Sequence, residues 1–387
     1  MNLSDRPISA ATAPRILQIT PVYAPSVGGI EDVVRALAAG AVRAGWACDV
    51  AEVRTSNHIF SREQIDSSFV FRVPLYGHRL VGVALRLREL AANYDLLHVH
   101  DPQVTALSAN VLIGGRGKPL VLSTHGGFFH TAKFPFAKKL HCHISLSPML
   151  ARYNAILASS ETDQRTFAAF SRRVELVPNG VNIEKFNAAR ARGGDDFLRW
   201  IYWGRFSRNK RIDQVIHYLA LARGRGFPAR LLICGNDFDE LMPSLVSAIE
   251  ESGVSDYVEF VMSPSDDELL RQIERSSVFI TASEFEGFGL SVVEAMAAGL
   301  PVICRDIAPL DGFVASDANG MRLSFAGDPV DVDRLCGFLA QSADAHKRIA
   351  AHNRASSERH SWLTAIDAYL RVYRRILEKT GTPQRAA

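Results

Sequence analysis

Cysteine is scarce in this sequence: Cys48, Cys142, Cys234, Cys304 and Cys336 are the only five among 387 residues, odd in number and widely scattered. No two form a C-x-x-C pair, which argues against a disulfide framework or a structural zinc site and for a reducing compartment. No stretch approaches the roughly 18 unbroken apolar residues that a membrane-spanning helix requires. Asp5, Pro7 and Pro14 stand where a secretory signal would need an apolar run, so a cytoplasmic protein is expected. Repeats at a period of roughly 20–50 residues, the mark of solenoids and propellers, are missing, as are low-complexity tracts. A large excess of either charge is missing too, with 44 Lys and Arg against 41 Asp and Glu.

What remains is an ordinary globular composition, 47% hydrophobic and 22% charged, which excludes collagenous, coiled-coil and disordered classes. The length exceeds the roughly 300 residues at which single cores stop growing, so two domains are expected. Their surfaces differ in sign. Residues 1–181 hold 19 Lys and Arg against 13 Asp and Glu, and the remainder holds 25 against 28. A first-half net of +6 with no binding motif is too modest for a nucleic-acid surface.

Residues 15–20 read as a buried strand, 31–43 as a helix carrying Val33, Val34, Leu37 and Val42 at helical spacing, and 47–53 as the next strand. This is a βαβ unit, the building block of parallel doubly wound sheets. Further strands are expected at 95–100, 119–123 and 155–158. A Pro178-Asn179-Gly180 turn and a polar stretch to Asp196 mark a boundary. Alternation then resumes with strands at 199–203, 230–234, 257–261, 277–281 and 301–304 and helices at 212–224, 240–251, 266–274 and 291–299. The expected domains are 1–180, 181–362 and a terminal helical segment, 363–387. Two facing Rossmann-like domains, α/β in class, would place one ligand site in the cleft between their strand ends.

Residues 283–304 are the most informative. After a strand ending near Thr281, a loop carries Glu286, Gly287, Phe288 and Gly289, and a helix begins around Leu290 or Ser291. Glycine lets backbone N–H groups approach a ligand, and a helix N-terminus carries about half a positive charge, which together make an anion cradle. Glu286 and Glu294, with seven residues between them, can reach the same pocket. Beside a phosphate site they would accept hydrogen bonds from sugar hydroxyls; helix capping would place the same residue types there. The segment Trp203-Gly204-Arg205-Phe206-Ser207-Arg208-Asn209-Lys210-Arg211 puts four cations after a strand. That suits a diphosphate, and equally a solvated basic loop.

Arg205, Lys210, and Glu286 with Glu294 inside Glu-Gly-Phe-Gly-Leu-x-x-x-Glu-Ala-Met-Ala-x-Gly-x-Pro-Val resemble the signature of the retaining, nucleotide-sugar-dependent glycosyltransferases of family 4, which adopt the GT-B fold. The likeness runs over nearly the whole chain. Gly28-Gly29 resembles the family's glycine pair after the first strand, and Trp362, Tyr369 and Tyr373 resemble its C-terminal helix returning to the first domain. Within the family the chain is similar to α-mannosyltransferases that extend polyprenyl-diphosphate-linked cellobiose in bacterial exopolysaccharide assembly. That resemblance implies GDP-mannose as co-substrate and a lipid-linked oligosaccharide as acceptor; a peripheral place on the cytoplasmic face of the inner membrane and no required metal are also expected.

Carried over by resemblance, Lys210 and Arg205 neutralise the donor diphosphate, Glu294 holds the ribose and Glu286 contacts the transferred sugar. Gly287, Phe288, Gly289 and Leu290 line the donor site, His125 faces the reacting sugar, and Gly28 and Gly29 supply backbone donors near phosphate or acceptor. The family's mechanism implies front-face attack, with a leaving-group phosphate oxygen helping to take the proton. Ser160 matches a family serine, but Ser160 and Asp163 also form an N-cap pattern, the reading preferred here. His98 and His100 are expected on opposite faces of their strand and so are not a metal pair. Asp237-x-Asp239 and Asp331-x-Asp333 formally read as D-x-D, with helix capping the preferred role.

Two departures touch the nucleotide side: Cys234-Gly235-Asn236 replaces a Gly-x-Gly, and 305–311 replaces a glycine-containing donor loop. Base and sugar therefore stay open, and a transferase using a UDP- or ADP-sugar with a soluble acceptor is the alternative. A non-catalytic nucleotide-sugar sensor is a second. A nicotinamide oxidoreductase would need G-x-G-x-x-G after the first strand, which neither Gly28-Gly29 nor Gly114-Gly115-x-Gly117 provides. Phe128, Phe129, Lys133, Phe134, Phe136, Lys138 and Lys139, with Arg79, Arg86 and Arg88 on a stretch expected to be helical, suit an anionic membrane surface; a loop with its phenylalanines packed inside is the other reading.

Overall fold

The computed structural model describes residues 13–381 apart from 26–28, 56–58, 102, 116, 127–144, 190–197 and 316–317. The chain divides into two compact units: residues up to Gly180 together with those from Trp362 onward, and Val181–Ser361.

In the first unit β1 (Arg15–Thr20), β2 (Ala47–Arg54), β3 (Ser61–Ile65), β4 (Ser68–Pro74), β5 (Leu96–His100), β6 (Leu120–Ser123), β7 (Ala155–Ala158) and β8 (Val174–Leu176) form one sheet in the order β3-β4-β2-β1-β5-β6-β7-β8. Every pairing is parallel except β3 with β4. A parallel sheet must be covered on both faces, and period-two alternation sorts its side chains accordingly. Leu17, Ile19, Leu97 and Val99 enter one core. Ile16 and Leu96 enter the other, under helices Gly29–Arg43 and Trp362–Lys379, which contribute Val33, Leu37, Ile366, Tyr369 and Tyr373. The terminal helix is fastened further by Arg375 to Glu175 at 2.5 Å.

The second unit is a sheet of β9 (Leu198–Trp203), β10 (Ala229–Gly235), β11 (Val258–Met262), β12 (Val278–Thr281), β13 (Val302–Arg305) and β14 (Gly320–Leu323), all parallel, in the order β11-β10-β9-β12-β13-β14. Trp200 and Tyr202 of β9 pack on one side, Ile201 and Trp203 on the other. Strand order reverses between β1 and β5 in the first unit and between β9 and β12 in the second. These reversals are the switch points at whose carboxyl edges ligands bind in open α/β sheets.

The structure adds elements that periodicity missed: the β3–β4 hairpin, β14, and helices Pro329–Leu339 and Ala343–Ser357. It corrects the helix expected around Arg79–Arg88. Tyr76 and Val83 form an antiparallel bridge with Arg79 in the turn between them, and only Leu87–Ala91 is helical. Cys48, Cys234, Cys304 and Cys336 are free thiols, and Cys142 lies outside the described residues. Among the described residues no helix is long and apolar enough to cross a membrane.

At Gly320 a Cβ would lie 2.1 Å from the Val302 carbonyl oxygen, whereas at Gly312 it would meet nothing within 4 Å. Gly320→Ala is therefore expected to destabilise the second unit by about 1–3 kcal/mol, and Gly312→Ala to leave it within about 0.5 kcal/mol of the parent. Denaturant unfolding of both variants checks this; equal midpoints would contradict the packing of β14 on β13.

Candidate active site

The site in the second unit is built on the carboxyl edge of β9 and β12, neighbours at the switch point. The chain leaves β9 at Trp203 and makes a single 3-10 turn, Arg208–Lys210, before Arg211, at φ +48°, swings it into helix Ile212–Gly224. From β12 it passes through residues 282–289 into helix Leu290–Ala298. These two loops are laced together. The Glu284 N–H donates to the Asn209 carbonyl at 2.8 Å, and the Asn209 side-chain amide donates to the Phe285 carbonyl at 3.1 Å. Lys210 Nζ donates to Glu286 Oε1 at 2.6 Å, with the two side chains only 17% and 10% exposed. Arg211 adds an ion pair to Glu284 and another to Asp213.

Gly289, at φ +94°, starts helix Leu290–Ala298, and a Cβ there would sit 2.6 Å from Leu310 Cδ2. Only glycine accepts both the left-handed backbone and that close approach. The helix that follows turns its positive end toward the laced loops. Glu294, one turn in, reaches back to the end of β9, where its Oε2 accepts the Trp203 Nε1–H at 2.8 Å. Lys210, Glu286, Glu294 and the helix start thus share one edge. Arg205 is exposed beside them, its guanidinium 4.9 Å from the Phe238 ring centre. Gly287 and Leu290 are half-buried. The Phe288 ring is buried against Phe313 and His360 at ring distances of 5.2 and 5.8 Å, so its backbone is the part that a ligand could meet.

In the first unit Gly28 lies outside the described residues and Gly29 is the first residue of helix Gly29–Arg43. The segment leading there is pinned by the buried Arg72. Its guanidinium donates to the Ala24 carbonyl and to Glu52 Oε2, both at 2.6 Å, while Glu52 Oε1 accepts the Tyr23 N–H at 3.1 Å. His125 follows β6 in a left-handed conformation, φ +47°, a strained geometry for a residue with a Cβ. Asp163 Oδ2 holds that turn by accepting from Thr124 Oγ1, the Gly126 N–H and the Ser159 N–H. Ser160 caps helix Glu161–Ala168, its Oγ accepting the Asp163 N–H at 3.2 Å.

The placement of His98 and His100 on opposite faces is overturned. Residues two apart on a strand share a face, and the two rings lie 4.2 Å apart. His100 Nδ1 is 2.8 Å from His125 Nε2. Burial holds the imidazoles of His98 and His100 well below the usual range, and His125 down to about 4. Among the described residues no group of three or more His, Cys, Asp or Glu is placed to hold a metal ion. Both D-x-D pairs are committed elsewhere. Asp237 accepts the Leu241 and Met242 N–H groups and Asp239 that of Arg208, while Asp331 holds Ser324 and Asp333 pairs with Arg225. Phe128, Phe129, Lys133, Phe134, Phe136, Lys138 and Lys139 lie outside the described residues.

Sequence reasoning missed the roles of Asn209 and Glu284, because pairing between loops more than 70 residues apart leaves no periodic signal. It also missed Arg72 and Glu52. A charged residue inside a parallel strand pattern was the available clue, since such groups are buried only when paired.

Residues 27–185 match the family described as Glycosyltransferase Family 4, and residues 185–335 the family described as Glycosyl transferases group 1. A GDP-mannose:cellobiosyl-diphosphopolyprenol alpha-mannosyltransferase of Xanthomonas campestris is 29% identical over 385 residues, covering 96% of this chain and 98% of the relative. A protein of the same name from Komagataeibacter xylinus is 29% identical over 94% of this chain and 93% of its own length. A sucrose-phosphate synthase from Thermosynechococcus elongatus shares the fold with a TM-score of 0.76 at 18% identity, over 94% of this chain and all of that one. An Anabaena protein, HepE, solved with UDP and glucose, has a TM-score of 0.71 at 16% identity, over 93% of this chain and 100% of that one.

The Lys210–Glu286 contact should be energetically coupled. In a double-mutant cycle of Lys210→Met and Glu286→Gln, unfolding free energies are expected to depart from additivity by about 1–3 kcal/mol. Additivity within about 0.5 kcal/mol would remove the pair as an organising contact of the site.

Proposed function

The chain belongs to the glycosyltransferases of family 4 and group 1, whose descriptions together span residues 27–335, and on that premise we propose that it transfers mannose from GDP-mannose to cellobiosyl-diphosphopolyprenol. It is a glycosyltransferase with the two Rossmann-like units of the GT-B fold. The narrower reading rests on the activity for which relatives aligned over nearly the whole chain are named. The observation that carries its chemistry is the Lys210–Glu286 pair beside a helix start at the switch-point edge.

In this reading the donor's diphosphate lies against the N-terminus of helix Leu290–Ala298. An ammonium has three donors. Lys210 gives one to Glu286 and keeps others for phosphate oxygens, while Arg205 swings in from the surface with its fork. As the glycosidic bond breaks, negative charge grows on the leaving diphosphate, and these groups stand where it develops. Glu294 accepts from the ribose while Trp203 fixes its other oxygen. Glu286 accepts from a hydroxyl of the transferred sugar, oriented by Lys210. In the first unit His125 faces the reacting sugar, and the Gly28–Gly29 segment offers backbone N–H groups to phosphate or acceptor. An α-linked donor giving an α-linked product is retention, with attack on the face from which the diphosphate departs and one of its oxygens helping to take the acceptor proton.

A lipid-linked acceptor calls for a membrane-facing surface on the first unit. Val81, Val83 and Leu85 are exposed there while Gly82 and Ala84 between them are buried, so an extended segment turns its large apolar side chains outward. Ile59 and Phe60 add to this exposed surface, and Arg79, Arg86 and Arg88 supply positive charge, with Arg86 5.8 Å from the Phe60 ring. Apolar side chains edged by arginine suit an anionic bilayer interface, and we place the protein peripherally on the cytoplasmic face of the inner membrane.

With GDP-mannose and cellobiosyl-diphosphopolyprenol, the full chain should add one hexose to the acceptor by mass, and Lys210→Ala or Glu286→Ala should lower kcat/KM by about a hundredfold or more. Turnover undiminished in both variants would sink the assignment. On vesicles containing anionic lipid, replacing Arg79 and Arg88 with alanine should weaken binding roughly thirtyfold, at about 1 kcal/mol per arginine. Unchanged vesicle association would remove this surface from the account.

A further inference from the structure

Beneath the terminal helix, the face shared by β1 and β5 carries a continuous polar seam inside an otherwise apolar core. Gln18, His98 and His100 are fully buried there. His100 Nε2 lies 2.8 Å from Gln18 Oε1, and Gln18 Nε2 lies 3.3 Å from the Tyr373 hydroxyl of helix Trp362–Lys379. That hydroxyl is 2.6 Å from His98 Nδ1, and His98 Nε2 is 2.9 Å from Ser123 Oγ. The line begins at His125 Nε2, 2.8 Å from His100 Nδ1.

With the Gln18 amide oxygen toward His100 and its nitrogen toward Tyr373, hydrogen-bond chemistry gives this line one direction. An amide oxygen only accepts, so His100 must donate to Gln18 from Nε2. A neutral imidazole has a single N–H, so His100 Nδ1 is bare and must accept from His125 Nε2. The amide nitrogen of Gln18 only donates, so Tyr373 accepts from it and gives its own proton to His98 Nδ1. His98 Nε2 then donates to Ser123. With Gln18 so placed, reversing any single link would set two donors or two acceptors against each other in the core, which costs about 1–3 kcal/mol per unsatisfied group.

We infer that this seam sets the tautomer of His125: Gln18 and His100 are positioning residues that hold its proton on Nε2 and present Nδ1 as a bare hydrogen-bond acceptor. Tyr373 extends the same control to the terminal helix, which thereby orients a side chain of the first unit's site as well as covering its core. Nδ1 so presented takes a hydrogen bond from a hydroxyl and repels a phosphate oxygen. The functional consequence rests on the reading that His125 faces the reacting sugar; the tautomer itself does not. Among the described residues, the titratable groups around His125 are His98 and His100 from β5, Asp163 from helix Glu161–Ala168, and Tyr369 and Tyr373 from the terminal helix. Burial keeps the three imidazoles neutral across the physiological range.

The test is a two-bond proton–nitrogen correlation spectrum of the full chain labelled with 15N-histidine. His125, His100 and His98 should each show a protonated Nε2 and an unprotonated Nδ1, unchanged between pH about 8 and about 5.5. A proton on His125 Nδ1, or a His125 ring that titrates within that window, overturns the proposal. In Gln18→Leu, which removes the acceptor of the His100 proton, His125 should become a mixture of tautomers, and kcat should fall by about tenfold with KM for the nucleotide sugar nearly constant. A single, unaltered His125 tautomer in a folded Gln18→Leu protein also overturns it. A mixed tautomer with unaltered kcat supports the seam and counts instead against His125 facing the reacting sugar. If Gln18→Leu does not fold, the parent spectrum decides alone.

Discussion

The ion pair of Lys210 and Glu286 is the contact on which the second unit's site depends. Taking an ammonium and a carboxylate largely out of water costs more than their attraction readily returns, so a pair kept this far inside needs support from its surroundings. Here the support is visible. The backbone of Glu284 is bonded to Asn209, the side chain of Asn209 to Phe285, and Arg211 to Glu284. Two loops that arise from adjacent strands, yet lie more than 70 residues apart in sequence, are made into one rigid edge. The start of helix Leu290–Ala298 joins that edge through Gly289, where only a residue without a side chain fits beside Leu310. The result is a preorganised edge with a carboxylate already oriented inside it, which in the proposed reaction would need little rearrangement as charge develops on a leaving group.

The first unit solves a different problem. Its candidate site residue His125 sits in a strained turn, held from the backbone side by Asp163 and from the ring side by His100. Polar groups buried in a parallel sheet are tolerable when each finds a partner, and the terminal helix supplies one of them, Tyr373. A helix whose sequence is separated from the rest of its unit by the whole of Val181–Ser361 thus completes both the apolar cover and the hydrogen-bonding of the seam.

The alternating strands and helices of both sheets were legible because buried parallel strands read as short apolar runs and helices as 3.6-residue patterns. The hairpin of β3 and β4 was not, since Ser61-Arg62-Glu63-Gln64-Ile65 is a polar edge strand with no such signature. The acidic motif and the basic turn were legible as separate features, each placed after a strand. Their mutual lacing was not, because nothing local in either loop encodes the other. The burial of the Phe288 ring against Phe313 and His360 was not legible either, because its motif position says nothing of the side chains it packs on. His98 and His100, two apart on a strand, share one face by strand periodicity alone, and it is there that they meet Gln18 and Tyr373.

The central claim is that the edge formed by Lys210, Arg205 and the start of helix Leu290–Ala298 recognises a nucleotide through its diphosphate. Calorimetric titration of the full chain with GDP and with GMP tests this most directly. GDP should bind at least about tenfold more tightly than GMP, a preference that should largely vanish in Lys210→Ala and weaken with rising salt. Equal affinities for the two nucleotides in the parent protein, or a preference for GDP that Lys210→Ala leaves intact, would contradict it.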